Sequence, residues 1–330
     1  MDLTTRDMGL ALRNPLVASA SPLNADVDNL RLLEDAGAGA VVLPSLFEEQ
    51  IAAEEARQDH LTTANAESSP EALSYFPEPA AYNVGPHAYL DLIRRARAAL
   101  AIPVIASLNG TTDEGWIGYA RSIEEAGASA IELNIYFIPA DLALTGAAVE
   151  ERYLDILRHV RRTVKIPVAV KLSPYFSAVG NMALALEKAG ANGLVLFNRF
   201  YQPDIDLGAL ALTTDLRLSY PTEIRLPLLW LGVLRGRTQA SLAATTGVTT
   251  VDEAIKYLLV GADVVMTTSA LLRHGVGHMA VLLEGLEHWL QAREFGSVAE
   301  VRGLMSQEKL KDPQAFERAN YIKILQGYRV

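Results

Sequence analysis

Short apolar runs alternate with amphipathic segments along most of this chain. Four of the amphipathic segments end at a glycine, namely Gly37, Gly127, Gly190 and Gly261. Each glycine is followed within a few residues by an apolar run, and these runs are Ala40–Leu43, Ala130–Asn134, Gly193–Asn198 and Asp263–Thr267. Glycine after the last helical turn is a common C-cap, and a short apolar run bounded by turns is typical of a buried strand. The pattern predicts four helix–turn–strand units.

Four further apolar runs complete the alternation. They are Leu16–Pro22, Val104–Asn109, Val168–Pro174 and Ala240–Thr245. Eight strands alternating with helices predict an α/β fold of the (β/α)₈ TIM barrel type. A doubly wound parallel sheet is the structural alternative, and the regularity of the alternation favours the barrel. We expect one domain spanning residues 1–330.

Four segments lie outside this alternation. Residues 1–13 predict an N-terminal hairpin, and residues 296–330 predict a C-terminal helical extension. Long insertions, 46–86 and 200–220, follow the second and sixth strands and exceed ordinary loop lengths. Since both follow strands, we expect both on the catalytic face of the barrel, as lids or substrate loops. A passive surface excursion is the alternative.

Composition narrows the class of protein. Half of the 330 residues are apolar and 21% are charged, which allows a large core. The net charge of −10 argues against a nucleic-acid or anionic-membrane surface. The chain has no cysteine, so it cannot supply disulfides, thiolate metal sites, an iron–sulfur cluster or a cysteine base. The N-terminus lacks a signal-peptide core and no apolar run could span a bilayer, so we expect a cytoplasmic protein.

The run Val168–Pro174 contains one charged residue, Lys171. An isolated ammonium in an apolar setting pays a large desolvation penalty. The penalty is tolerable where the strand ends and the ammonium meets an anion, which at the mouth of a barrel is usually a ligand. The alternative is a lysine that extends from the strand end to water.

The other strand ends carry hydroxyls and amides. They are Ser19, Ser21, Ser45, Ser107, Asn109, Asn134, Ser173, Asn198, Thr245, Thr246, Thr267 and Thr268, with Asn83 near the end of the first insertion. Paired carboxylates and a histidine cluster are missing, which argues against glycosidases and metal hydrolases. His274 and His278 have i, i+4 spacing without a third ligand, so a solvated helix face is favoured over a zinc site.

Two of these strand ends precede helices. Thr245-Thr246-Gly247 follows the seventh strand, and Thr267-Thr268 follows the eighth. Barrels bind phosphate at these two places, through backbone N–H groups and a helix N-terminus. Flavin mononucleotide (FMN) fits, with its phosphate at the two turns and its ring over the fifth strand. The alternative is that the threonines are simple N-caps.

In this order and register the motifs resemble the class 1 dihydroorotate dehydrogenases, which are FMN-dependent barrels. The likeness runs from about Asn14 to about Gly275. It is carried by the following segments: Asn14-Pro15, Asn83-Val84-Gly85, Ser107-Leu108-Asn109-Gly110, Glu132-Leu133-Asn134, Val170-Lys171-Leu172-Ser173-Pro174, Asn198, Thr245-Thr246-Gly247-Val248 and Thr267-Thr268.

The resemblance implies a set of roles for these residues. Lys171 and Asn134 would be catalytic, with Lys171 near N1/O2 of the flavin, and Asn83, Asn134 and Asn198 would bind dihydroorotate or a related planar amide. Cofactor contacts would come from Ser19, Ala20, Ser107, Asn109, Asn134, Lys171, Thr245, Thr246, Gly247, Thr267 and Thr268. The reaction would pass a hydride to the flavin while a base removes a proton. We expect a homodimer acting in pyrimidine metabolism.

The sequence departs from the family at three positions. The family lysine expected near Pro44 is absent, because the chain reads Leu43-Pro44-Ser45 there. The catalytic cysteine of the family falls on Phe137, and a substrate asparagine falls on Pro139. Phenylalanine cannot accept a proton, so the cofactor site is kept while the proton chemistry is changed.

No base is evident from the sequence. Tyr136 and Asp141 lie in the same loop as Phe137. Packing is the simpler role for Tyr136, and helix capping is the simpler role for Asp141.

Two other functions remain open from sequence. A phosphate-binding lyase or isomerase would use Lys171 as a Schiff-base nucleophile. A partner-dependent flavoprotein would pass electrons to a separate subunit, which must then carry any iron–sulfur relay.

Overall fold

The eight predicted strands close into a parallel barrel. The computed structural model describes residues 1–51, 85–110, 116–199, 203–213, 217–316, 321 and 325–327. The barrel strands are β3 (Leu16–Ala18), β4 (Ala40–Phe47), β5 (Val104–Asn109), β6 (Ala130–Asn134), β7 (Val168–Leu172), β8 (Gly193–Leu196), β11 (Ser241–Ala244) and β12 (Val264–Thr267). They follow one another round the barrel in chain order, and β12 pairs with β3 to close it. The barrel prediction is confirmed, and the doubly wound sheet is wrong.

Helices cover the outside of the barrel. Those in the described residues are α1 (Val27–Asp35), α2 (Pro86–Ala99), α3 (Trp116–Glu125), α4 (Gly146–Thr163), α5 (Val179–Ala189), α6 (Arg225–Leu234), α7 (Val251–Val260), α8 (Ser269–His274), α9 (His278–Ala292) and α10 (Val298–Val301). The four predicted C-cap glycines have φ angles of +96° to +123° after α1, α3, α5 and α7. This left-handed conformation favours glycine, so the prediction for these turns is confirmed.

Two apolar cores result from the alternation of side chains along the strands. One face of each strand packs against the helices, and the other fills the barrel. The inner core is built largely of small and β-branched side chains, among them Ala130 and Ala169. Two positions further along the same strands, and therefore on the same inward face, lie Glu132 and Lys171.

Strand β4 extends beyond its apolar run. It continues through Pro44 to Phe47, and its register with β5 shifts between Val42 and Ser45. Proline lacks the N–H that a central ladder requires, so an irregularity is expected at this point. Most of the first predicted insertion, including Asn83, lies outside the described residues.

An antiparallel hairpin closes the amino-terminal end of the barrel. It consists of β1 (Thr5–Asp7) and β2 (Leu10–Leu12). The Met8 amide donates to Ser241 Oγ at 2.8 Å, and Met8 packs with the inner core. The neighbouring Asp7 is only 5% exposed. The hairpin therefore buries a carboxylate at the end of the barrel opposite the strand termini that carry Lys171.

The second predicted insertion contains another hairpin, formed by β9 (Asp204–Asp206) and β10 (Ala211–Thr213). Leu207 and Leu210 at its turn are 82% and 84% exposed. After the barrel, the described part of the C-terminal segment contains α10 and a 3₁₀ turn at Pro313–Phe316. No helix among the described residues is long and apolar enough to cross a membrane.

Candidate functional site

A cavity of about 270 Å³ opens at the carboxyl ends of the strands. It lies against β3, β7, β8, β11 and β12 and the segments that follow them. Nine of the residues predicted for the site line it: Ser19, Ala20, Lys171, Asn198, Thr245, Thr246, Gly247, Thr267 and Thr268. The cavity therefore has one ammonium on its wall and a rim rich in hydroxyl groups.

Three predicted residues lie near this cavity without lining it. The Ser107 side chain is fully buried, and its Oγ is 2.8 Å from Ser45 Oγ. Asn109 on β5 pairs in register with Asn134 on β6, and Asn134 in turn pairs with Lys171 on β7. The structure thus brings Asn109 and Asn134 to the mouth, whereas the Ser107 hydroxyl is engaged within the barrel wall.

Lys171 forms a buried ion pair with Glu132. Its Nζ lies 3.4 Å from Glu132 Oε1, and the two side chains are 10% and 2% exposed. Asn134 is the register partner of Lys171, and Glu132 lies two residues earlier on β6, deeper in the barrel. The anion that a strand-end lysine requires is therefore supplied by the protein. The sequence interpretation missed Glu132, although an acidic residue on the inward face of an apolar strand is a usable signal.

Asn134 and Asn198 meet beside Lys171. Asn198 Nδ2 donates to Asn134 Oδ1 over 2.5 Å, across 64 residues of sequence. Asn134 ends β6 and Asn198 follows β8, and these two strands flank β7, which carries Lys171. Two amides and an ammonium therefore stand side by side, an arrangement that can hydrogen-bond a flat ring bearing carbonyl and N–H groups.

The turn after β11 has a constrained backbone. Thr246 and Gly247 have φ angles of +79° and +74°, and this region is uncommon for a β-branched residue. Tyr257 OH donates to the carbonyls of Thr245 and Thr246, at 3.1 and 2.8 Å. Burial raises the pKa of Tyr257, so this phenol remains a donor. The buried tyrosine thereby stabilises the strained turn through its two backbone carbonyls.

Gly247 is required at its position because the backbone approaches a neighbouring segment closely. A Cβ there would lie 2.7 Å from Ile224 Cγ2 and 2.8 Å from the Tyr220 carbonyl oxygen. The Gly247 amide donates to Ser219 Oγ at 3.1 Å. The sequence predicted this amide as a phosphate donor, whereas in the structure its partner is a serine from the second insertion.

The turn after β12 is tied to the first strand. Thr267 Oγ1 donates to the Val248 carbonyl at 3.0 Å, and Thr268 Oγ1 donates to the Ser19 carbonyl at 3.2 Å. Ser269, which begins α8, accepts a hydrogen bond from Ser219 Oγ at 2.9 Å. These threonines therefore join β3 to the β11 and β12 turns, which fixes the shape of the cavity rim.

Two arginines of the cavity wall were not predicted. Arg199 Nε lies 3.0 Å from Glu223 Oε2, and Arg217 Nη2 lies 2.9 Å from Asp204 Oδ2. Both arginines line the cavity. Sequence reasoning missed them because they stand beside or within a long insertion that has no regular pattern.

The loop after β6 carries no ionised group at the position where the resembled family has its base. Phe137 is half-buried, and the Arg152 guanidinium lies over its ring at 4.1 Å from the centroid. Pro139 is exposed. Asp141 Oδ1 accepts from the Ala143 amide at 2.9 Å, which is a local turn contact. The position of the family base is therefore occupied by an aromatic ring in cation–π contact with Arg152.

Comparison with known proteins agrees with this geometry. Residues 80–290 match the family model described as dihydroorotate dehydrogenase. The catalytic subunit of dihydroorotate dehydrogenase B (NAD(+)) from Thermoplasma acidophilum is 25% identical over 92% of this chain and 98% of that protein. The same subunit from Pyrococcus abyssi is 26% identical over 90% of this chain and 96% of that protein.

A third relative has a different name. The NAD-dependent dihydropyrimidine dehydrogenase subunit PreA of Escherichia coli K12 is 25% identical over 92% of this chain and 76% of that protein. The family match covers well over half of the 330 residues. The chain therefore belongs to the dihydroorotate dehydrogenase family and is an oxidoreductase of that kind.

Proposed function

We propose that this chain binds FMN and oxidises the CH–CH bond of a planar, amide-containing ring, with dihydroorotate as the reference substrate. The observation that supports this proposal is the cavity that extends from Lys171 to the two turns after β11 and β12. Its polar lining suits a flavin: an ammonium toward the ring and a rim of hydroxyl-bearing residues toward the phosphate. Arg199 and Arg217 also line this wall, each paired with a carboxylate.

FMN would supply the hydride acceptor, and the chain would supply binding and electrostatics. Lys171 would stabilise negative charge near the pyrimidine edge of the ring, through preorganised electrostatics. Asn134 and Asn198 would orient the substrate amides, and their contact would open to admit it. Asn83 belongs to this proposal from sequence alone.

Proton removal is the weak step of this site. The loop that carries the base in the resembled family here presents Phe137 under Arg152. General-base assistance contributes about 10²–10⁴-fold to such reactions. We therefore propose that this protein oxidises dihydroorotate slowly, or that its natural substrate loses the proton of the oxidised CH–CH bond with less assistance from a base.

The ion pair of Lys171 argues against the lyase or isomerase alternative. A Schiff-base lysine must present a free amine, whereas Lys171 lies 3.4 Å from a buried carboxylate. A separate electron-transfer subunit remains part of the proposal, because two of the relatives are named catalytic subunits. We also propose a homodimer, which light scattering of the purified chain will test.

The deciding experiment is the visible spectrum of purified protein, followed by heat release and identification of the chromophore. We expect a yellow protein with FMN bound in about one copy per chain. Protein that is colourless and does not change the spectrum of added FMN contradicts the proposal. Binding of orotate, followed as a shift in the flavin spectrum, tests the substrate class separately.

A further inference from the structure

Glu132 is an acidic residue deep in a largely apolar barrel. It is 1% exposed, and its strand neighbours in register are Ser107 and Ala169. A buried carboxylate is costly unless it is paired and hydrogen-bonded. Its partner is Lys171, at 3.4 Å, on the adjacent strand.

We propose that Glu132 is a positioning residue that acts through Lys171. It holds the ammonium at the cavity wall and compensates its charge. The inference rests on the proposed FMN site and deepens it. Glu132 itself does not line the cavity, whereas Lys171 does, so its effect on a bound ring passes through the lysine.

The charge of Glu132 also acts on a second buried carboxylate of the barrel, Asp7. Asp7, on the hairpin below, has its pKa raised to about 7, first by burial and then by the charges of Asp263 and Glu132. Asp263 is paired with Arg235 and Arg302 at 3.0 and 3.1 Å. Among the described residues, the cation paired with Glu132 is Lys171, on the cavity side.

The charge of Glu132 should influence the reduction potential of a flavin bound beside Lys171. With Glu132 ionised, its carboxylate offsets part of the positive charge that Lys171 presents to the cavity. Glu132→Gln keeps the shape but leaves the ammonium uncompensated, which favours the anionic reduced ring over the neutral oxidised ring. We expect reduced FMN to gain roughly tenfold in relative affinity, which raises a two-electron midpoint potential by about 30 mV.

The test compares three variants by spectroelectrochemistry. Glu132→Gln should raise the flavin potential, whereas Glu132→Asp, which keeps the charge, should stay within about threefold, or 15 mV, of wild type. Asp263→Asn removes a half-buried, ion-paired carboxylate at the far end of the barrel and should leave the potential unchanged. A purely structural role for Glu132 would leave the potential of all three at the wild-type value, and that result would overturn the proposal.

A second measurement does not need the flavin. Glu132→Gln, Lys171→Gln and the double variant form a thermodynamic cycle on the unfolding of the apoprotein. Breaking one side of a buried pair typically lowers the folding equilibrium constant by roughly 10²–10³-fold, so the double variant should lose much less than the two single losses combined. If Glu132→Gln does not fold, Glu132→Leu takes its place in the cycle, because leucine removes the carboxylate and suits the apolar interior of the barrel.

The two measurements distinguish failure of the proposed FMN site from failure of the proposed role of Glu132. Wild-type protein that binds no FMN would contradict the proposed function, and the apoprotein cycle would still measure whether Glu132 and Lys171 stabilise each other. Coupling of less than about twofold between positions 132 and 171 would overturn the Glu132 proposal, whether or not FMN binds.

Discussion

Asp7→Asn should change how the stability of the barrel depends on pH. Asp7 is buried at the amino-terminal end of the barrel, beneath the inner core, and is 5% exposed. Burial, with the charges of Asp263 and Glu132, raises its pKa from 3.8 to about 7. Between these two values the folded protein holds a proton that the unfolded chain has lost. Stability should therefore fall as pH rises from about 4 to 7, and level off above 7.

The expected magnitude follows from the same two values. A difference of one pKa unit corresponds to about 1.36 kcal/mol. Ionisation of Asp7 should therefore lower the free energy of unfolding by roughly 4 kcal/mol between pH 4 and pH 8. The asparagine side chain of the variant cannot ionise and avoids this cost. The free energy of unfolding of the variant should therefore rise relative to wild type with increasing pH, by a few kcal/mol in total.

Urea unfolding followed by circular dichroism at pH 4.5, 6 and 8 measures this difference. Asp91→Asn is the matched control, because Asp91 is an exposed carboxylate on α2 whose ion pair with Arg95 is long, at 3.9 Å. Its effect should stay within about 0.5 kcal/mol. A difference between Asp7→Asn and wild type that is the same at all three pH values would refute the reasoning about burial.

Three other changes test the site. Lys171→Gln should slow reduction of the bound flavin by about 10²–10³-fold in stopped-flow experiments, and near-normal rates would reduce Lys171 to a structural role. Phe137→Cys should add a titrating group to that reaction and rescue it only in part; fast wild-type reduction with a clear pKa would instead show that another residue is the base. Gly247→Ala should cost about 2 kcal/mol in stability and weaken FMN binding, because its Cβ would lie 2.7 Å from Ile224. Gly118→Ala, on α3 with open space around the new methyl group, is the control, and equal melting temperatures for the two variants would contradict the steric argument.

The sequence alone determined the elements of this fold and their order. The strands and the glycine-capped turns could be predicted because their signals are local: an apolar run, a helical period, and a residue that tolerates positive φ. Lys171 could be singled out for the same reason, since a charge within an apolar strand is visible without a structure. The positions of Asn134 and Asn198 at strand ends also follow from the barrel.

Only the tertiary structure decided which of these groups meet. Lys171 and Glu132 are 39 residues apart, and Gly247 and Ser219 are 28 apart. The register between neighbouring strands sets the first contact, and the path of the second insertion sets the other. Whether a buried charge meets a protein partner or awaits a ligand depends on these distances. They follow from barrel closure, a property of all eight strands together, and for that reason no local pattern in the chain contains them.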